Sequence, residues 1–211
     1  TFEDLAIPYL IGGSWALTVW AGPRFTHDID IVVDLPLERI PAFCARFPAD
    51  EFLIDAQAMR AQFRVPDSPS GGMYSFLHIP TGLKIDLFPL RPNDPVQRAA
   101  FARRVAMPLL GDQAGMVATA QDLLIQKVRW WQAGGRASER QFRDCVNLLL
   151  TDRSRPTPQI HPDAVEQIMR TLPRTTHEAW RILWEAADQA WQQSQVPPPD
   201  AAPPGLPPPT R

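Results

Sequence analysis

Apolar positions in this chain follow two periods. In the front half they fall in short runs rich in β-branched and aromatic residues, DIDIVVDL from Asp28, MYSFLHIP from Met73 and LKIDLFPL from Leu83, as strands with one or both faces buried do. From Asp94 onward they return every three or four residues, as in Ala120, Leu123, Leu124, Val128 and Trp131, which is the stripe of an amphipathic helix. The pattern predicts a short helix in WALTVWAG, ended by Gly22-Pro23 because proline cannot continue it and glycine suits the C-cap. It predicts a second helix over 36–47 from Leu37, Ile40, Phe43 and Phe47, and a β-hairpin turning at Thr81-Gly82. The stretch AMRAQFRV fits neither period clearly.

Three capping boxes mark further helix starts: Thr119 with Asp122, Ser138 with Gln141, and Thr175 with Glu178. They imply helices near 120–133, 139–151 and 176–194, with another after His161-Pro162. Strands first and helices afterwards read as an α+β chain: a sheet-bearing core over 1–95, a helical unit packed on it over 96–194, and a Pro-rich tail over 195–211. That tail holds too few large apolar side chains to offset its ordering entropy, so it is expected to be disordered or polyproline II.

Composition narrows the class. With 45% hydrophobic and 21% charged residues the chain is an ordinary globular protein. No apolar run approaches the roughly 18 to 20 residues that span a bilayer, and TFEDLAIPYLIGG lacks the basic start of a signal peptide, so a cytoplasmic protein without a membrane partner is expected. Cys44 and Cys145 stand far apart without metal-ligand spacing and read as reduced, packed thiols. A net charge of −2 gives no global attraction to nucleic acid. Its distribution is uneven: residues 1–60 are acidic and favour a cation, whereas the stretch from Lys127 to Arg155 is basic and suits phosphates.

The acidic front contains the candidate chemistry. Side chains alternate faces along a strand, so Asp28 and Asp30 point the same way with Cα atoms roughly 6.5 to 7 Å apart. Two carboxylates so placed repel each other unless a cation lies between them, and a hard divalent ion takes oxygen ligands in that arrangement. Alone, D-x-D is a common surface pattern; its neighbours give it weight. Gly12-Gly13-Ser14 opens a helix, where free N–H groups and the dipole favour a phosphate. Taken by itself the same triplet is a plain turn and N-cap. Asp86 lies between Ile85 and Leu87, which should face the core, and shares the polar face with Lys84; a third carboxylate there could complete two metal sites and accept a proton. Without the D-x-D it would read as an exposed strand aspartate.

Lys127 falls inside the apolar stripe of its helix, where a solvated face cannot account for it. An ammonium there must snorkel to an edge or meet an anion, either a phosphate or a carboxylate such as that of Asp144. Asp144 itself points away from the stripe of Phe142, Cys145, Val146 and Leu149, toward a cleft or toward water. Arg24 and Thr26, just ahead of the D-x-D, either contact a triphosphate or brace the loop. The four histidines show no ligand spacing.

The order G-G-S, short helix, D-I-D and a later strand aspartate, here IGGSWALTVWAGPRFTHDIDIVVD followed by LKIDLFPL, resembles the nucleotidyltransferase signature of the DNA polymerase β superfamily. More narrowly, with the later lysine and aspartate on helices, it resembles the small bacterial AbiEii-type nucleotidyltransferases of toxin–antitoxin systems. The resemblance runs over about residues 8–150. It implies a polymerase β-like fold, a small mixed sheet flanked by helices, and transfer of a nucleoside monophosphate from an NTP to an acceptor hydroxyl of RNA, tRNA or protein. Two Mg²⁺ ions are implied, with Mn²⁺ as the alternative. Asp28 and Asp30 would hold both ions, and Asp86 would hold the second and act as base. Gly13, Ser14, Arg24, Thr26, Lys127 and Asp144 would serve the nucleotide, and an antitoxin would be the partner. The GGSWAL start also resembles drug-modifying adenylyltransferases, which leaves a small-molecule, aminoglycoside-like acceptor open. A non-catalytic binding partner built on the same fold is the reading from a different class.

Overall fold

A computed structural model describes residues 1–65, 72–110 and 113–195. The chain enters through β1 (Tyr9–Ile11), passes Gly12 into α1 (Gly13–Ala21) and returns in β2 (Asp28–Val33), antiparallel to β1 with Tyr9 opposite Val33. Helix α1 stops as predicted, where Gly22 takes φ 91° ahead of Pro23. The helix expected over 36–47 is replaced by a 3₁₀ turn at Leu37–Arg39 and a five-residue α2 (Ile40–Cys44). Pro41 is the reason: it suits the first turn of α2, where its missing N–H costs nothing, and could not sit inside a longer helix running through that point. Burial of Ile40 and Phe43 follows the predicted stripe.

After β3 (Phe52–Leu53), the stretch without clear period forms α3 (Ala56–Phe63), started by Asp55, whose carboxylate accepts from the Ala58 N–H at 2.6 Å. β4 (Tyr74–His78) and β5 (Leu83–Pro89) form the predicted hairpin, with Gly82 at φ 68° in its turn. Helix α4 (Pro95–Ala102) follows, capped by Asp94.

The helical reading past Asp94 then needs correction. β6 (Val105–Leu110) and β7 (Gln113–Val117) form a second hairpin and join the sheet beside β1. Neither segment alternates cleanly, and Pro108 and Gly115 lower its local strand signal. Pro108 is tolerated because β6 is an edge strand. Helices α5 (Ala120–Ala133), α6 (Glu139–Arg153), α7 (Pro162–Arg170) and α8 (Arg174–Gln195) complete the described chain. Thr119 and Ser138 cap α5 and α6 as expected. The third box does not form: α8 already begins at Arg174, so Thr175 lies inside its first turn, where its carbonyl accepts from Arg136 at 2.8 Å. The tail expectation falls on 196–211, outside the described residues.

The mixed sheet runs β3-β4-β5-β2-β1-β7-β6, with β2 and β5 parallel at its centre. The molecule is thus α+β, as predicted, a mixed sheet flanked by helices. Helix α1 packs on β2 and is itself covered by α5 and α6, while α8 lies against both of those. This places the start of α1, the middle of β2 and the facing turns of α5 and α6 in one region. Among the described residues no helix is long and apolar enough to cross a membrane.

Candidate active site

The register of two parallel strands assembles the acidic face. Asp30 lies directly opposite Asp86, and Asp28 opposite Lys84. Paired residues project to the same side, so Asp28, Asp30 and Asp86 share one face while Ile31, Val33, Ile85 and Leu87 fill the core on the other. Asp86 is only 4% exposed, which disposes of the exposed-strand reading. Its carboxylate accepts from Ser75 Oγ at 2.5 Å and lies 2.7 Å from Lys84 Nζ. Thr26 Oγ1 donates to Asp28. Among the described residues the Asp30 carboxylate has no hydrogen bond or ion pair. Burial, then the charge of Asp28, then that of Asp86, push its pKa up from 3.8 to about 6.

With Asp28 drawn toward Thr26 and Asp86 toward Ser75 and Lys84, the three carboxylates do not converge as a ready-made cage. Among the described residues no three His, Cys, Asp or Glu side chains are gathered as metal ligands. The donor chemistry nonetheless fits a divalent cation. Asp30 is a partly buried carboxylate that no cation contacts directly among the described residues, and two more carboxylates raise the cost of its ionisation beyond what the charges of Lys127 and Lys84 offset.

The turn ahead of α1 sits on Asp30. Gly12 N–H donates to the Asp30 carbonyl at 2.9 Å, and Gly13 takes φ +53°. A Cβ on Gly13 would stand 1.7 Å from Asp30 Oδ2. No side chain larger than hydrogen fits between helix start and carboxylate. Next to it, the Ser14 hydroxyl accepts from Arg24. The Nε of Arg24 lies 3.3 Å from Asp144 Oδ1, and Lys127 Nζ lies 2.9 Å from Asp144 Oδ2 and 3.3 Å from Gln141 Oε1. Arg24 and Thr26 therefore both brace the loop, and of the two anions open to Lys127 the structure supplies the carboxylate. Of the two directions open to Asp144, bulk water is excluded: it is 5% exposed, holds two cations and lies in the wall of a cleft between α1 and α6.

That arrangement predicts a large stability effect. Asp144→Ala leaves Lys127, itself 4% exposed, without a counter-ion. Breaking a buried pair from one side costs about 3–5 kcal/mol. Urea unfolding of the variant should show a loss of that order, whereas a wild-type midpoint would mean the pair contributes nothing to folding.

Two contributors escaped the sequence reading. Ser75 could be placed only after the hairpin register set it opposite Asp86. Gln141 was legible as a capping-box residue, which concealed its side chain's contact with Lys127. The basic stretch also reads differently in three dimensions. Arg129 pairs with Asp94 at 2.7 Å, Arg153 with Asp188 at 3.2 Å and Arg136 with Glu178 at 3.6 Å, and Arg143 lies 2.5 Å from Glu139. Most of the predicted phosphate-facing charge is thus spent on internal carboxylates.

The family model for the nucleotidyl transferase AbiEii toxin, Type IV TA system, matches residues 2–203. The chain belongs to this family. Membership makes it a nucleotidyltransferase, and both the GGS turn and the three strand aspartates lie within the matched span. No curated protein matches the chain significantly. Among solved structures, the solution structure of the antibiotic-resistance factor ANT(2'')-Ia is similar at 14% identity, covering 91% of each chain with a TM-score of 0.46.

Proposed function

We propose that this AbiEii-family chain is a metal-dependent enzyme that transfers a nucleoside monophosphate from an NTP to an acceptor hydroxyl on RNA, tRNA included, and that it acts as the toxin of a toxin–antitoxin pair. The observation that carries the reading is the pairing of Asp30 with Asp86 across β2 and β5, with Asp28 on the same face and Gly13 seated against Asp30. Asp28, Asp30 and Asp86 would hold Mg²⁺, or Mn²⁺ in its place, which supplies charge neutralisation of the triphosphate and a more acidic acceptor hydroxyl. The chain's own groups do the rest. The first N–H groups of α1 and the Ser14 hydroxyl receive phosphate oxygens, with glycine allowing close approach. Arg24 stands at that hydroxyl already, and on transfer of its contact from Ser14 to phosphate it keeps Asp144 as anchor. Lys127, fixed by Asp144 and Gln141, adds positive potential to the same region. Asp86 accepts the proton of the attacking hydroxyl, its carboxylate held in position by Ser75 and Lys84.

The front of the chain, 1–95, contributes the carboxylates, and the remainder, 96–194, contributes the cation support from α5 and α6 besides two strands of the sheet. An antitoxin is the partner the toxin reading requires. RNA is preferred to a protein acceptor because a polyanion complements Arg140 of α6, which has no ion pair among the described residues.

The test incubates the full chain with Mg²⁺, each labelled NTP in turn, and either total RNA or cell lysate, beside the Asp28→Ala/Asp30→Ala variant. Label in RNA with wild type only is the expected result. Transfer that persists in the double variant refutes the catalytic assignment, and label confined to protein overturns the choice of acceptor.

A further inference from the structure

Between the C-terminal end of α1 and the first turns of α6 lies a cavity of about 400 Å³. Its polar wall carries Arg24, Arg140, Arg143, Glu139, Asp144 and Asn147, and Leu17, Ala21 and Pro23 form an apolar floor. Charge in this wall is unbalanced. Arg24 is held by Asp144 and Arg143 by Glu139. Among the described residues Arg140 has no hydrogen bond or ion pair, and three guanidinium groups face two carboxylates. Burial and then, against the pull of Asp144, the like charge of Arg140 depress the pKa of Arg24. Cations therefore outnumber carboxylates in this wall, the more so because Asp144 is shared with Lys127, and Arg140 lies close enough to Arg24 to destabilise its charge. The N-terminus of α6, with Arg140 and Arg143 in its opening turns, adds positive potential on the same side.

We propose that this groove binds one phosphodiester of the RNA acceptor, with Arg140 as its principal contact and the apolar floor accommodating the adjoining sugar or base. A phosphodiester carries one negative charge, which a guanidinium without a partner such as that of Arg140 can take. Guanidinium groups present paired N–H donors to phosphate oxygens, and Leu17, Ala21 and Pro23 offer a nucleoside a surface that needs no hydrogen bonds. The groove also has the right position. Arg24 and Asp144 form part of its wall and belong equally to the network that reaches Ser14, so an acceptor anchored here lies beside the nucleotide rather than on it. This inference rests on the RNA-acceptor reading given above and goes beyond it in naming where the acceptor is held.

The experiment measures binding of a short labelled single-stranded oligoribonucleotide to the full chain over a series of salt concentrations, for wild type, Arg140→Ala and Arg140→Lys. In parallel, each protein is titrated with a non-hydrolysable NTP analogue and Mg²⁺. Arg140 is exposed on α6, so the variants should fold normally. Arg140→Ala is expected to weaken RNA binding about 5- to 10-fold, and the slope of log affinity against log salt should fall by about 0.7, the value of one phosphate contact on a single strand. Arg140→Lys should keep the slope and recover part of the affinity. Nucleotide affinity should be the same in all three. Wild-type RNA affinity and slope in Arg140→Ala overturn the inference, as does a loss confined to the nucleotide analogue, which would assign the groove to the NTP. The label-transfer experiment separates the two readings. Wild type that labels RNA while Arg140→Ala binds it undiminished refutes the groove alone, and wild type that labels no RNA refutes the acceptor.

Discussion

Asp30→Asn should abolish nucleotide transfer and at the same time make the ion-free protein more stable. In the folded chain burial and the charges of Asp28 and Asp86 raise the Asp30 carboxyl from 3.8 to about 6. For an acid whose folded pKa lies above its unfolded value, the folded state holds the proton more tightly. The associated stability is complete below about pH 3.8 and is lost as pH rises through about 6. At pH 7 the ionised, unpartnered carboxylate thus costs on the order of 2–3 kcal/mol, which an amide does not incur. Thermal unfolding in EDTA should place the variant several degrees above wild type at pH 7, with the difference shrinking toward pH 4. Mg²⁺ should raise the wild-type midpoint and leave that of the variant nearly unchanged. Transfer should fall about 10³-fold or more, the scale of losing a preorganised group that stabilises developing charge. A variant that is less stable than wild type at every pH would show that Asp30 is a structural residue and not a seat for a cation. Stability given up at the acidic face is what a site built for an ion requires, because the ion recovers it only when bound.

How far the sequence could be read follows from how local each determinant is. Strand β2, the Thr81-Gly82 hairpin and helix α5 were legible because period, turn residues and caps within a few positions specify them. Asp28 and Asp30 were legible for the same reason, since two residues of one strand separated by one must share a face. Asp86 was legible as a polar residue between two core residues, but its pairing with Asp30 depends on the parallel crossover, which no local pattern encodes. Strands β6 and β7 were missed because their sheet position comes from β1 and not from their own alternation. The fate of the charges was the least legible part. Lys127 was recognisable as needing an anion, yet Asp94 for Arg129 and Asp188 for Arg153 lie 35 residues away in sequence and meet only through helix packing. The basic stretch that looked like a phosphate surface was therefore mostly structural, and Arg140 stands out only once the rest is paired.

Gly13→Ala carries the second large effect, and it isolates the contact on which the site's geometry depends. An alanine there must hold φ near +53°, and its Cβ would lie 1.7 Å from Asp30 Oδ2, 2.6 Å from Cγ and 2.9 Å from Cβ. The left-handed backbone alone costs an L-residue about 1–2 kcal/mol. Rotating the carboxylate can relieve the first two contacts only by turning it off the shared face, and the third is fixed to the strand, so α1 itself must move. Expected outcomes are a loss of about 2–4 kcal/mol in urea unfolding and of at least about 100-fold in transfer, for one added methyl group. Gly12→Ala is the internal control. Its φ is −117°, outside the left-handed region, and its Cβ would stand 3.2 Å from the movable end of the Gln126 side chain and 4.0 Å from the Asp30 carbonyl oxygen, so it should cost less than about 1 kcal/mol. Introducing Gly13→Ala into an Asp30→Ala background removes the Oδ2 and Cγ contacts and leaves the Cβ contact and the backbone strain. Its cost there should fall by about half, and the resulting coupling energy measures the steric contact itself. If Gly13→Ala costs the same in both backgrounds, the glycine is required for its backbone angle and its clearance from the Cβ at position 30, and the close seating of α1 on the Asp30 carboxylate plays no part in forming the site.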